Sequence, residues 1–223
     1  MVKIDLHTHS ILSYDGGIAV TEYEKALNSA TLDCIAITDH NTIDYAVFCQ
    51  NVLGERIIVG QETKTKEGEI IGLFLEEKIP SGLSALATAK KIRQQEGLVY
   101  IPHPFETKRS SLQRKTLTAL RGYLDIIEVF NARAFLRGKA KEATIFALQE
   151  NLAMAASSDS HAIQGVGSAF SVVEDMPTNK TLVTLLQKAR FEKRYAPFYT
   201  LLYPAFNRLK KMIRNGRNGG KDV

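Results

Sequence analysis

The sequence predicts an α/β protein built on a mostly parallel sheet, and three observations carry that expectation. Short apolar runs alternate with amphipathic helical stretches along the chain, the order that generates βαβ units. The polar residues of the apolar runs gather at their C-terminal ends. All five histidines, His7, His9, His40, His103 and His161, fall in those end positions. In a barrel of parallel strands such ends share one rim, where active sites are built.

The first strand is KIDLH, closed by His7 and His9. A helix follows over TEYEKALNSA, with Thr21 as a cap and Glu24 three residues on. CIAITDH is the second strand, ending in Asp39 and His40, and a helix runs from about Thr42 to Leu53. RIIVGQE and EIIGLFL flank TKTKEG, whose Gly68 suits a turn, so this pair reads as a hairpin with Glu62 at the end of its first strand. Ser81 and Ser84 are rival caps for a helix that Gly97 stops. LVYIPHP carries His103, and SSLQRKTLTAL reads as the helix behind it. DIIEVFN carries Glu128 and Asn131, followed by a helix over FLRGKAKEATIFALQEN. LAMAASSDSH is a strand and loop with Asp159 and His161. AFSVVED is the last expected strand, and TNKTLVTLLQKAR the helix after it.

The chain has 223 residues, 44% of them hydrophobic and 24% charged, an ordinary balance for one globular domain. Lys3 and Asp5 break the start, so no secretory leader is expected. No apolar run approaches the ~20 residues of a spanning helix. Cys34 and Cys49 have no partner at zinc-site spacing and read as reduced thiols, which suits a cytoplasmic location. The net charge of +5 is uneven. From Lys188 to Val223 there are ten basic and two acidic residues, leaving 19 basic against 22 acidic in the body. The basic character belongs to the C-terminal segment.

Five histidines on one expected rim, joined by Asp15, Glu62 and Asp159, are hard to explain as separate structural residues. Imidazole and carboxylate donors suit Zn, Mn or Fe. There are more of them than one ion takes, so two or three divalent ions are implied. His7 and His9 are two apart on an extended segment, which sends both rings to one side and Leu6 and Thr8 to the other. Asp159 and His161 repeat that spacing in SDSH. A carboxylate such as Glu62 can bridge two ions.

DLHTHS, Asp15 in SYDG, TDHNT, Glu62 in VGQE, IPHP and SDSH together resemble the ordered motifs of the PHP (polymerase and histidinol phosphatase) family. The resemblance spans roughly residues 1–175. It implies a distorted (β/α)7 TIM-like barrel around a di- or trinuclear metal centre. It also implies phosphate-ester hydrolysis by attack of a metal-bound hydroxide on phosphorus. Carried over, His7, His9, Glu62 and Asp159 would hold one ion. Glu62 would bridge to a second, bound by His103. Asp15, His40 and His161 would hold a third. The second ion of the family pattern often takes another histidine, where this chain has Asn131.

Asp5 reads as an acceptor that orients a ligand. Asp39 reads the same way, or as a proton donor to the leaving group. Glu128, at an odd separation of three from Asn131, is expected to turn away and be structural. Lys108 is expected to be a solvated loop charge. Arg109 and Arg133 read either as solvated charges or as a phosphate-binding fork. Gly165 and Gly167 mark a tight turn.

The segment from 196 to 223 is set apart from a barrel over 1–195. Apolar first and then basic, it reads as a strap with a frayed end, any helix beginning after Pro204 or being short. A nucleic-acid or anionic-surface contact through its basic residues is the sharper alternative. The leading functional reading is a phosphatase of a small phosphomonoester or nucleotide. The rivals are a 5′–3′ exonuclease or phosphodiesterase on short RNA or DNA, a non-catalytic metal-binding regulatory module, and a C–N-cutting metal hydrolase. The last expects a longer chain and a bridging Lys, a place that Glu62 fills here.

Overall fold

The computed structural model describes residues 1–107, 109–134 and 139–218. Lys108 and the first residues of the helix expected over 135–151 lie outside them. The expected alternation is present: β1 (Val2–Thr8), α1 (Val20–Asn28), β2 (Cys34–Ile37), α2 (Asp44–Leu53), β3 (Ile57–Lys64), β4 (Glu69–Leu73), α3 (Ala85–Gln94), β5 (Leu98–Ile101), α4 (Arg114–Leu120), β6 (Ile126–Asn131), α5 (Ala140–Gln149), β7 (Ala153–Ser157), β8 (Ala169–Val173), α6 (Leu182–Gln187), β9 (Arg190–Lys193) and α7 (Tyr203–Asn218). Helix starts follow local chemistry. Ser84, not Ser81, caps α3 by accepting from the Ala87 N–H at 3.2 Å. Helix α1 starts one residue before the expected Thr21 cap, because Glu22 reaches back to the Ala19 N–H at 2.8 Å.

One sheet runs in the order β7-β6-β5-β4-β3-β2-β1-β8-β9. The first seven strands curl into a nearly closed barrel with helices outside. Its seam is a parallel bridge between Thr8 and Ser160, with the His9 N–H donating to the Ser160 carbonyl at 2.8 Å. At the lower end of the seam β8 pairs antiparallel with Val2–Ile4 and receives the Ala156 N–H on Ser171 Oγ at 3.2 Å. The expected seven-stranded barrel thus carries two further strands. The expected hairpin is present: β4 returns from β3 and runs antiparallel to both β3 and β5.

The C-terminal segment differs most from its expected frayed strap. A 3-10 turn over Phe198–Leu202 leads into α7, sixteen residues long and beginning at Tyr203. Pro204 sits in its first turn, where a missing N–H costs nothing. No helix of the described residues is long and apolar enough to cross a membrane.

Two apolar clusters hold the layers together. One joins the outer sheet face to the helices through residues such as Ile35, Val59, Leu117 and Phe146. The other, with Ile4, Leu6, Tyr100 and Ile126, fills the barrel below the rim and is closed by Leu182 and Leu186 of α6. Phe146 is 1% exposed and meets Phe105 edge-on at 5.7 Å, and the Arg114 guanidinium lies over both rings. Phe146→Ala is therefore expected to lower unfolding free energy by about 3–5 kcal/mol, read from urea denaturation followed by circular dichroism.

Candidate metal centre

Two backbone irregularities build the site. The register of β1 against β2 shifts between Asp5 and Thr8. Leu6 therefore stays with the inner apolar cluster while Thr8 turns outward, bonding Tyr23 of α1 and the Ala36 carbonyl. Leu6 and Thr8 do not share a face as simple alternation expects, and His7 and His9 both point inward. The register of β6 against β7 shifts between Glu128 and Phe130. That bulge puts Glu128 and Asn131 on one side despite their odd separation.

Four donor atoms then meet. His7 Nε2 and His9 Nε2 are 3.1 Å apart. Glu62 Oε2 lies 3.4 and 3.3 Å from them, and Asp159 Oδ1 lies 3.6 and 3.4 Å from them. Donors 3.1–3.6 Å apart stand at the spacing of two ligands on one divalent ion, whose bonds to nitrogen or oxygen are about 2 Å long. The donor set therefore fits a metal ion. Glu62 turns its other oxygen to His103 Nε2 at 3.1 Å, so this carboxylate is shared between two groups. Across the rim Asp15 faces His40 Nε2 at 3.6 Å and His161 Nε2 at 3.4 Å. His9 joins this second set, and His7 joins Glu62 and His103.

The residues behind the donors fix their tautomers and positions. Glu128 accepts a hydrogen bond from the His7 Nδ1–H at 3.1 Å, which directs Nε2 into the site. The same carboxylate accepts the His103 N–H at 2.6 Å and the Tyr100 hydroxyl at 2.8 Å. Glu128 is thus a hub of the centre, not the outward-turned structural residue that spacing implies. Asp5 accepts the His7 and Ser158 N–H groups at 3.3 and 3.0 Å, tying β1 to the end of β7. Asp39 is bound to Ser10 through both its N–H and its hydroxyl and is fully buried. That arrangement keeps it off the cleft, away from any leaving group. His103 and Asp159 have left-handed backbones, with φ of 32° and 52°. Such conformations cost about 1–3 kcal/mol each and gather at functional sites.

Asn131 is not placed as a ligand. Its Nδ2 donates to Glu128 at 2.9 Å and Asp159 at 3.1 Å, and its Oδ1 accepts the Arg133 N–H at 2.9 Å. Two carboxylates on one side require the amide nitrogen there, which turns the oxygen away. Arg109 and Arg133 are not solvated loop charges. Their guanidinium groups flank Asp159, donating to it at 2.6 and 3.2 Å. Both line a cleft of about 640 Å³ whose floor includes Glu62, His103 and Asp159. Arg109 Nη2 and Arg133 Nε are buried donors with no protein partner. Gly165 closes a 3-10 turn and Gly167 has φ of 76°, in keeping with a tight turn.

Charge in the cluster is balanced by proximity. Burial alone would drive Glu62 and Asp159 toward their neutral forms. His40 and His7 around the first, and Arg133, His7 and Arg109 around the second, outweigh it and hold both carboxyls well below the usual range. Burial, helped by neighbouring positive charge, pushes His9 down to about 4. His161 is lowered by burial and by Arg133. His7 goes the other way: burial lowers it, but the charges of Asp159, Glu62 and Glu128 outweigh that and raise it well above the usual imidazole range, so an ion bound there would displace a proton.

Three contributors have no signature in the sequence. Glu69, raised to about 9 by burial and then by the charge of Glu62, sits within reach of His40 and Glu62. It begins a strand instead of ending one, but β4 is antiparallel, so its start lies on the same rim. Asn207 of α7 donates to the Asp15 carbonyl at 2.9 Å and the His161 carbonyl at 3.0 Å. Lys211 donates to the carbonyls of Ser13 and Gly16. The C-terminal helix therefore holds the two loops that carry Asp15 and His161.

The PHP domain family matches residues 5–176. The chain belongs to the PHP family. An uncharacterized protein of Methanocaldococcus jannaschii is 34% identical over 183 residues, covering 80% of this chain and 73% of that one. The fold is shared with a two-domain protein of Bacteroides vulgatus containing a predicted PHP-like metal-dependent phosphoesterase (TM-score 0.70, 20% identity, 93% of this chain and 69% of that one). It is shared also with a lesion-specific endonuclease of Pyrococcus furiosus (TM-score 0.61, 14% identity, 85% of this chain and 57% of that one). Membership places the chain among the PHP-type metal-dependent phosphoesterases, a hydrolase class.

Two expectations follow for this PHP centre. Glu128→Gln removes the charge that orients His7 and is expected to weaken metal affinity by roughly 10–100-fold, measured by competition with a chromogenic chelator. Asn207→Ala is expected to loosen the loops of Asp15 and His161 and so weaken any ion binding between them while leaving the fold intact, read as a lower metal-to-protein ratio at unchanged melting temperature.

Proposed function

We propose that this PHP chain hydrolyses a phosphomonoester of a small molecule or nucleotide, with two or three divalent ions held by its donor groups. His7, His9, Glu62 and Asp159 would hold one ion, Glu62 and His103 a second, and Asp15, His40 and His161 a third. Ions so bound would supply Lewis acidity toward phosphoryl oxygens and lower the pKa of a coordinated water toward neutrality.

The observation that carries the reading is the pair of guanidinium groups, Arg109 and Arg133, that line the cleft beside the donor cluster. A phosphate bringing several acceptor oxygens suits two such groups, in the fork geometry that they favour. Asp159 keeps the two arginines in place, and Asn131 in turn steadies Asp159. A volume of about 640 Å³ suits one small ester. The mildly acidic body does not attract a long polyanion.

A panel in Mn²⁺ tests this: nucleoside mono- and bisphosphates, histidinol phosphate and 5′-phosphorylated short RNA. Release of inorganic phosphate from one or more small esters is expected, abolished by chelation and reduced at least 100-fold in His9→Ala. Arg133→Ala is expected to raise KM more than it lowers kcat. Release of nucleotides from the RNA with no phosphate from any small ester would favour the nuclease reading. No product from any substrate, or full activity in His9→Ala, would refute a hydrolytic role.

A further inference from the structure

Helix α7 is amphipathic in the inverse sense. Its inward stripe is polar or small: Pro204, Asn207 and Lys211, following Thr200 of the preceding turn. These are the residues that face the barrel, with Asn207 and Lys211 bonded to backbone carbonyls of the site loops. Its outward stripe is apolar. Phe206, Leu209 and Ile213 recur at three- and four-residue spacing, preceded by Leu202, and they are 48–66% exposed. Phe198 and Met212 beside them are 72% and 71% exposed. Tyr199, Leu202, Tyr203 and Phe206 share the walls of one apolar hollow of about 340 Å³. A surface helix normally buries its apolar face and wets its polar one. Here that order is reversed, and the exposed stripe needs an apolar environment outside the protein.

The charges beside the stripe say which environment. At 3.6 residues per turn Lys210 and Arg214 border it on one side and Met212 on the other, while Arg208 lies toward the cleft. Lys210 and Arg214 are exposed. No Asp or Glu occurs between Glu192 and Asp222. An apolar stripe edged by cations, on a segment without acidic residues, is the pattern of a helix that lies in a membrane interface. Its apolar side chains enter the acyl boundary and its cations meet anionic headgroups. Self-pairing through the same stripe would bring cationic edges together with no acidic residue on the helix to offset them. Nucleic acid offers nothing to the aliphatic Leu202, Leu209 and Ile213. We infer that the outer face of α7 docks on an anionic membrane surface, leaving its inner face on the metal site.

Deleting the helix is a poor test, because Asn207 and Lys211 would leave with it. The full chain with Phe206→Ser and Leu209→Ser alters only the outer stripe, and its melting temperature reports folding independently. Co-sedimentation is measured with vesicles of phosphatidylcholine alone and with 30% phosphatidylserine (composition chosen to be on the order of a charged leaflet). The natural chain is expected to bind the anionic vesicles at least tenfold more tightly, less so as salt rises, and the double variant to lose that binding. A second variant, Lys210→Glu with Arg214→Glu, is expected to lose it too with the stripe intact. Three results would overturn the inference. One is no anionic-vesicle binding by the natural chain at physiological salt. Another is undiminished binding by a folded double variant. The third is a concentration-dependent dimer, or RNA binding, that the double variant loses while vesicle binding is absent.

Discussion

The structure is organised around buried negative charge that must be neutralised. Asp15, Glu62, Glu128 and Asp159 are each at most 5% exposed, and desolvation opposes ionisation at every one of them. Burying carboxylates without counter-charge costs several kcal/mol per ion, so each is surrounded. Glu62 is ringed by His7, His9, His40 and His103, and Asp159 by two arginines as well as imidazoles. Glu69 is driven toward its neutral form by burial and by the charges of Glu62 and Asp159, and Asp5 and Asp39 by burial. The cluster has the composition of a site whose remaining positive charge comes from divalent ions.

Meeting that constraint bends the backbone. A regular barrel would present alternate residues to its interior and could not gather so many polar side chains at one height. Shifted registers in β1 and β6 move His7, His9 and Asn131 onto the inner face. Left-handed residues at His103 and Asp159 turn the chain at the rim. The antiparallel β4 adds a carboxylate from the opposite chain direction. The stability lost at these irregular points is supplied by the ordinary apolar clusters around and below the site, where strands alternate without interruption.

That division explains what the sequence could reveal. Strand and helix order was legible because the core-facing segments are apolar and periodic. The exposed RFEK of β9 has no such pattern and passed unseen. His7, His9, Glu62, His103, Asp159 and His161 were legible because they stand at the ends of apolar runs. Glu128 departs from its expected outward turn because a bulge cancels simple alternation in β6. The orientation of the Asn131 amide is hidden from the sequence because it depends on Glu128 across that bulge and on Asp159 from the next strand end. Asn207 acts on backbone carbonyls, and any loop offers those, so no residue pairing in the sequence announces it.

The C-terminal helix joins these themes. Its inner face is polar because its partners there are carbonyls of the loops bearing Asp15 and His161, and apolar side chains would leave those carbonyls unsatisfied. A helix that spends its inward face on hydrogen bonds gains little hydrophobic stabilisation from that docking. Its large side chains must then go outward, and they do. The same geometry makes the helix a wall of the cleft, where Arg208 approaches Asp15 at 3.8 Å. Whatever covers the outer stripe therefore bears on an element that touches the metal site directly, and the packing of one helix couples the outer surface of the protein to the positions of its ligands.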